Sequence, residues 1–206
     1  MHRRHLLALL PATLLLGAAA PAPTADEQQV LTRIQDYLNG IRTLKARFLQ
    51  VGPDGRESGG TVWLERPGRM RFQYDPPTPY LLVAGHGLLV FYDSQLQQTS
   101  NIPLGSTPLG ILLADQVRLS GPVMVTGFSH PPGLYEVTLV RTGSPQDGSL
   151  TLFFTDDPLA LRSWVVVDAQ HRATRVTLYD VQRGGQFAQS LFTFIDPKFF
   201  RNGPAH

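Results

Sequence analysis

The sequence predicts a mainly β protein: an antiparallel sandwich or barrel, entered through one amphipathic helix and interrupted by one short apolar helix. Three observations carry this. From Leu44 onward, apolar and polar residues alternate with period two in short segments. Those segments are separated by turn sequences such as Asp54-Gly55, Gln146-Asp147-Gly148 and Gly184-Gly185. Between them there are no helical stretches of the kind that parallel strands need as crossovers.

Residues 1–20, MHRRHLLALLPATLLLGAAA, precede the fold. A basic start (His2, Arg3, Arg4, His5), an apolar run over 6–16 and small residues from Gly17 to Ala20 make a secretory signal peptide, with cleavage expected between Ala19 and Ala22. The apolar run is shorter than the roughly 20 residues that span a bilayer. One domain is then expected over residues 26–200. Asp26 is the expected N-cap of the first helix, whose apolar residues Val30, Leu31, Ile34, Tyr37, Leu38 and Ile41 recur at steps of three and four. Asn39 or Gly40 is the expected stop, and Gln28, Arg33, Gln35 and Asp36 form the polar face.

Ala46, Phe48 and Gln50 then alternate with Arg47 and Leu49, and VGPDGRESGG is a hairpin-type turn. Strands are expected at about 60–65, 69–74, 80–84, 88–93 and 95–100, and after a break at about 122–128, 134–141, 149–155, 162–168, 173–181 and 189–195. The break contains the short helix: Thr107 is its expected N-cap and Pro108 its first residue, and Leu109, Ile111, Leu112 and Leu113 make it apolar nearly all round. Several strands are apolar on both faces, notably LLVFY at 88–92, LTLFF at 150–154 and WVVV at 164–167. Two apolar faces require two apolar environments, of which one is the helices and the other a ligand cavity, a dimer interface or a second core layer.

Composition and motifs exclude most chemistry. There is no cysteine, hence no disulfide framework, no thiolate metal site and no residue for lipid attachment. Removing Arg3 and Arg4 from the 18 basic residues leaves 16 against 16 acidic ones, which is not a nucleic-acid footprint. Only 17% of residues are charged, against about 25% in a typical domain, so an exported chain of this kind has apolar surface to hide or to use. His86, His130, His171 and His206 have no metal-binding spacing, there is no GxSxG elbow, and Asp156-Asp157 is a turn pair rather than an acid–base couple in a cleft. No catalytic residue, metal site or cofactor is expected.

The segments IRTLKARFLQ at 41–50, GGTVWLERPGRMRFQYDPP at 59–77, LLVAGHGLLVFYD at 81–93, STPLGILL at 106–113 and FTFIDPKFF at 192–200 together resemble the periplasmic outer-membrane lipoprotein carrier family of the Lol pathway. The match is tighter before residue 120 than after it. The resemblance implies an incomplete, unclosed antiparallel barrel of about eleven strands covered by a lid of short helices, with acyl chains held beneath. It implies that Arg66, the arginine before the proline, latches the lid by hydrogen bonds to backbone carbonyls near Leu38, Leu112 and Leu113. Periodicity and resemblance together put Phe48, Met70, Phe72, Leu82, Phe91, Leu109 and Leu112 on the cavity wall. Arg69 and Arg71 fall on the opposite strand face, as solvated charges or a docking patch. The implied partners are acylated lipoproteins and an inner-membrane ABC lipoprotein exporter, with a separate outer-membrane receptor left open; the chain is expected to act as a monomer in the periplasm. Carriers of glycolipid or another apolar envelope ligand, and sensor domains on the same fold, are the alternatives.

Overall fold

The computed structural model describes residues 24–198; the expected signal peptide and the end of FTFIDPKFF lie outside them. The chain opens with α1 (Ala25–Gly40) and continues into β1 (Thr43–Val51), β2 (Glu57–Glu65), β3 (Arg69–Tyr74), β4 (Tyr80–Gly85), β5 (Leu88–Asp93) and β6 (Gln98–Pro103). The inserted α2 (Leu109–Leu112) separates these from β7 (Val123–Ser129), β8 (Leu134–Arg141), β9 (Gly148–Asp156), β10 (Leu159–Asp168) and β11 (Ala173–Arg183). All eleven strands form one sheet in the order β6-β5-β4-β3-β2-β1-β11-β10-β9-β8-β7. The two edges, β6 and β7, are consecutive in sequence and do not pair, so the barrel is unclosed and the segment 104–122 joins its two lips.

Bulges in β1 (between Lys45 and Arg47), β10 (between Leu161 and Ser163) and β7 (between Val125 and Gly127) add twist and bend, which lets one sheet curl round a single core. The inner face reads across the strands in register. Phe48 lies opposite Leu178 on one side and Gly60 on the other, Val62 opposite Phe72, and Phe72 opposite Leu82. Gly60 is required there: a Cβ would sit 2.8 Å from the Phe48 ring and run into the Gln73 carbonyl.

α1 forms as its periodicity demands, with Leu31, Ile34 and Leu38 buried. Its N-cap is Thr24 rather than Asp26. The Thr24 hydroxyl accepts from the Glu27 N–H at 3.3 Å and the Glu27 carboxylate accepts from the Thr24 N–H at 2.7 Å, a reciprocal capping box that outcompetes a lone Asp. Asp26 instead contributes its charge to the first turn. Thr107 does not cap α2; its hydroxyl donates to the Leu104 carbonyl at 2.9 Å, closing a preceding 3-10 turn, and the helix begins after Pro108. β6 starts at Gln98 rather than 95, because the Asp93 carboxylate accepts from the Gln95 and Leu96 N–H groups at 2.9 and 3.0 Å and prolongs the turn.

The expected strand at 189–195 is a 3-10 turn, Gln189–Phe192, followed by extended chain outside the sheet. It straps the outer face of β3 to β6. Arg71 Nη1 donates to the Leu191 carbonyl at 3.2 Å, Tyr92 and Phe194 rings meet at 5.2 Å, and Thr99 donates to Asp196 at 2.6 Å. The alternation of Phe192 and Phe194 thus marks one side laid against a sheet, not a ladder. The strap is also the second apolar environment for LLVFY. For LTLFF, the inner Leu150, Leu152 and Phe154 are fully buried and the outer Phe153 lies under the Arg175 guanidinium at 4.8 Å.

Candidate functional site

The interior is divided in two. Near α1 it is filled: Phe48, Met70 and Leu112 are at most 2% exposed and belong to the same continuous core as Ile34 and Leu38. Beyond them a cavity of about 460 Å³ stays open, within the ~300–1,000 Å³ typical of ligand pockets. Phe72, Leu82 and Leu89 line one side, Trp164, Val166 and Val176 the other, and Ser106 to Leu109 form the roof. Ile102 on the edge strand β6 and a polar mouth of Gln50, Asp168, Gln170 and Arg172 complete it. Phe48, Phe72 and Trp164 run edge to face from β1 to β10, with centroids at 4.8 and 6.3 Å.

Of the seven residues expected on the wall, Phe72, Leu82 and Leu109 line this cavity. Phe48, Met70 and Leu112 do not; they are packed in the continuous buried core that also holds Ile34 and Leu38. Phe91 does not line it either and packs against the Tyr80 ring at 5.2 Å. Leu89, Trp164, Val166, Ile102 and Val176 line it as well. The first three sit in the strands LLVFY and WVVV, whose two apolar faces were the available signal.

The cover over the interior has two halves, α1 and the inserted segment 104–121. Gln35 and Asn39 tie them together. Asn39 exchanges two bonds with the Val117 backbone, at 3.0 and 2.8 Å, and the Gln35 side chain accepts from the Leu119 N–H at 3.0 Å. Arg42 adds an exposed pair with Asp115 at 2.8 Å. Nothing in their spacing distinguished Gln35 and Asn39 from an ordinary polar face and helix stop.

The turn between β2 and β3 grips both halves. Arg66 is 6% exposed, and its Nη2 donates to the Leu38 carbonyl at the end of α1. That carbonyl also accepts from the Ile41 N–H at 3.1 Å, and its second lone pair, at the partly negative end of the helix, suits a guanidinium. Arg66 does not reach Leu112 or Leu113: the Leu113 carbonyl is taken by the Gly68 N–H at 2.8 Å. The Arg66 Nε is buried without a partner. Burial, with the nearby Arg42 charge, pulls its pKa down to about 10 against a small opposing pull from Asp115. Arg69 pairs with Glu65. Arg71 is half-buried and, rather than standing free on the strand face, anchors the strap; its partial burial lowers its pKa.

Among the described residues there is no group of three or more His, Asp or Glu placed to hold a metal, and no helix long and apolar enough to cross a membrane. What the fold builds is an open barrel with an apolar interior beneath a two-part cover. The family described as outer membrane lipoprotein carrier protein LolA matches residues 39–195, and the chain belongs to that family, which is one of carriers rather than enzymes. An outer-membrane lipoprotein carrier protein of Methylococcus capsulatus is 30% identical over 190 residues, 88% of each chain. One from Pseudomonas aeruginosa is 30% identical over 203 residues, 92% of this chain and 93% of its own. One from Dechloromonas aromatica is 34% identical over 185 residues, 85% of this chain and 88% of its own. The crystal structure of a LolA superfamily protein from Nitrosomonas europaea is 10% identical, covers 80% of this chain and 97% of its own, and superposes with a TM-score of 0.44.

Proposed function

We propose that this chain is a periplasmic carrier that takes up the acyl chains of lipoproteins leaving the inner membrane and hands them to the outer membrane. The observation that supports it most is the apolar cavity beneath a cover pinned by one buried arginine on a helix-end carbonyl. The proposed donor is an inner-membrane ABC lipoprotein exporter, and the acceptor is the outer membrane or a receptor on it.

The energetics define what such a carrier needs. Each methylene moved from water into an apolar site is worth about 0.8 kcal/mol, so a single long chain strongly prefers a bilayer to water. A carrier must match that preference and still release its cargo. The cavity alone is too small a part of the interior to do this; the rest lies under α1, where Phe48 and Met70 become wall only when the cover lifts. Lifting it breaks the Arg66 bond, a charge-assisted contact worth about 1.5–3 kcal/mol. Because Arg66 Nε has no partner even when closed, the closed state is not over-stabilised. The energy of holding the cover open is subtracted from cargo affinity, which makes delivery downhill.

The test is a release assay. Purified mature protein is added to liposomes bearing the exporter, labelled outer-membrane lipoprotein and ATP. Labelled lipoprotein in the soluble fraction as a one-to-one complex supports the carrier reading. No release, with the exporter shown active on a known carrier, contradicts it; lipid extracted from the purified protein then identifies the other apolar ligand.

A further inference from the structure

Arg141, the last residue of β8, is a second cation beneath the cover. It is half-buried, its Nε is shielded from water with no partner, and its Nη2 donates to the Thr107 carbonyl at 3.3 Å. Among the described residues, Arg66 and Arg141 are the side chains left with a buried unpaired donor, and neither joins an ion pair. α2 lies directly on this guanidinium: a Cβ at Gly110 would sit 2.5 Å from Arg141 Nη2 and 2.6 Å from the Leu104 carbonyl. Only glycine lets the helix backbone come this close.

We infer that Arg141 is a second latch, which pins the inserted half of the cover to the β7–β8 side of the sheet as Arg66 pins α1 to the β2–β3 turn. This rests on the carrier reading. A buried arginine with a purely structural task is best served by a carboxylate, which satisfies its fork and is hard to separate from it. Both of these instead hold a single backbone carbonyl on a covering segment and leave Nε unpaired. That contact excludes water from the closed cover and is weak enough to break. Thr107 belongs to the roof of the cavity, so releasing Arg141 frees the roof, whereas releasing Arg66 frees α1. The cover therefore opens in two parts with separate controls, joined through Gln35 and Asn39.

Hydrogen exchange on the mature protein tests this, with Arg141→Met, Gly110→Ala and Arg66→Leu compared with wild type, and urea unfolding run alongside. The reporters are amides of α2 and of the two residues after it, Gly110, Ile111, Leu113 and Ala114, which bond to carbonyls between Thr107 and Ile111. Arg141→Met is expected to speed their exchange roughly tenfold, the scale of one lost hydrogen bond, and to leave the α1 amides at wild-type rates. Gly110→Ala, with Arg141 intact but displaced, should do the same, and Arg66→Leu the reverse. Wild-type exchange at those amides in Arg141→Met overturns the second latch, whatever Gly110→Ala does, because the added Cβ also meets the Leu104 carbonyl. So does equal acceleration of α1 and α2, which marks loss of global stability. Binding of a fluorescent fatty acid by wild type is read separately: its absence sinks the carrier reading, while the exchange pattern still decides the role of Arg141.

Discussion

Arg66 and Arg71 stand five residues apart, and each donates to a backbone carbonyl of a segment laid across the sheet. Arg66 holds α1 on the inner face through Leu38, and Arg71 holds the C-terminal strap on the outer face through Leu191. The chemistry is the same and the settings differ. Arg71 has a second partner, the Gln73 side-chain oxygen at 2.7 Å, on an exposed flank of the sheet. Arg66 is buried with Nε unpaired and its pKa drawn down to about 10. Arg71 holds its strap with two bonds beside solvent; Arg66 holds α1 with one, its Nε buried and unpaired, and it is the one proposed to let go.

The comparison yields predictions of decreasing size. The sharpest contrast lies inside the cover, between packed core and open wall. Met70→Ala should lower unfolding free energy by about 2–5 kcal/mol in urea, because it hollows a filled region. Leu82→Glu, on a partly buried wall position, should fold and lose acyl-probe binding. Equal losses of stability from both would dissolve the distinction. Next, Arg66→Leu should free α1, with exchange of its amides rising by the equivalent of about 1.5–3 kcal/mol, while the strap amides stay at wild-type rates. Arg71→Leu should do the opposite, loosening residues 187–196 by about 1 kcal/mol and leaving cargo delivery intact. If Arg71→Leu impairs delivery as strongly as Arg66→Leu, the two arginines do not differ in role. Smallest, Thr24→Ala should remove about 1 kcal/mol of capping from α1 and raise acyl-probe affinity modestly, because the cover then lifts more easily.

Much of the fold was legible in the sequence, because period-two strands and Gly/Asp turns are local signals. Those signals mark twelve strand segments, of which eleven form the sheet, together with the leading helix and the inserted apolar one; the unclosed arrangement is what the family resemblance implied. The errors have local causes too. The Thr24–Glu27 capping box displaced Asp26, the Asp93 turn shifted β6, and the 189–195 segment alternates because it lies against a sheet without joining it. The candidate site was less legible. Whether an inward residue meets a void or another side chain depends on where α1 and α2 end up, which strand periodicity does not encode; hence Phe48, Met70 and Leu112 fall in core and Trp164 and Leu89 on the wall. The sutures made by Gln35 and Asn39 join residues about eighty positions apart and leave no mark on local pattern.

The central claim is that Arg66 sets the energy of the closed cover and so drives release. Its most direct test is the rate at which carrier loaded with labelled lipoprotein transfers it to outer-membrane vesicles, compared between wild type and Arg66→Leu. With the latch removed, the open, loaded state no longer competes with a stabilised closed one, so the variant should load normally and retain its cargo while wild type delivers. Transfer by Arg66→Leu at the wild-type rate would contradict the account.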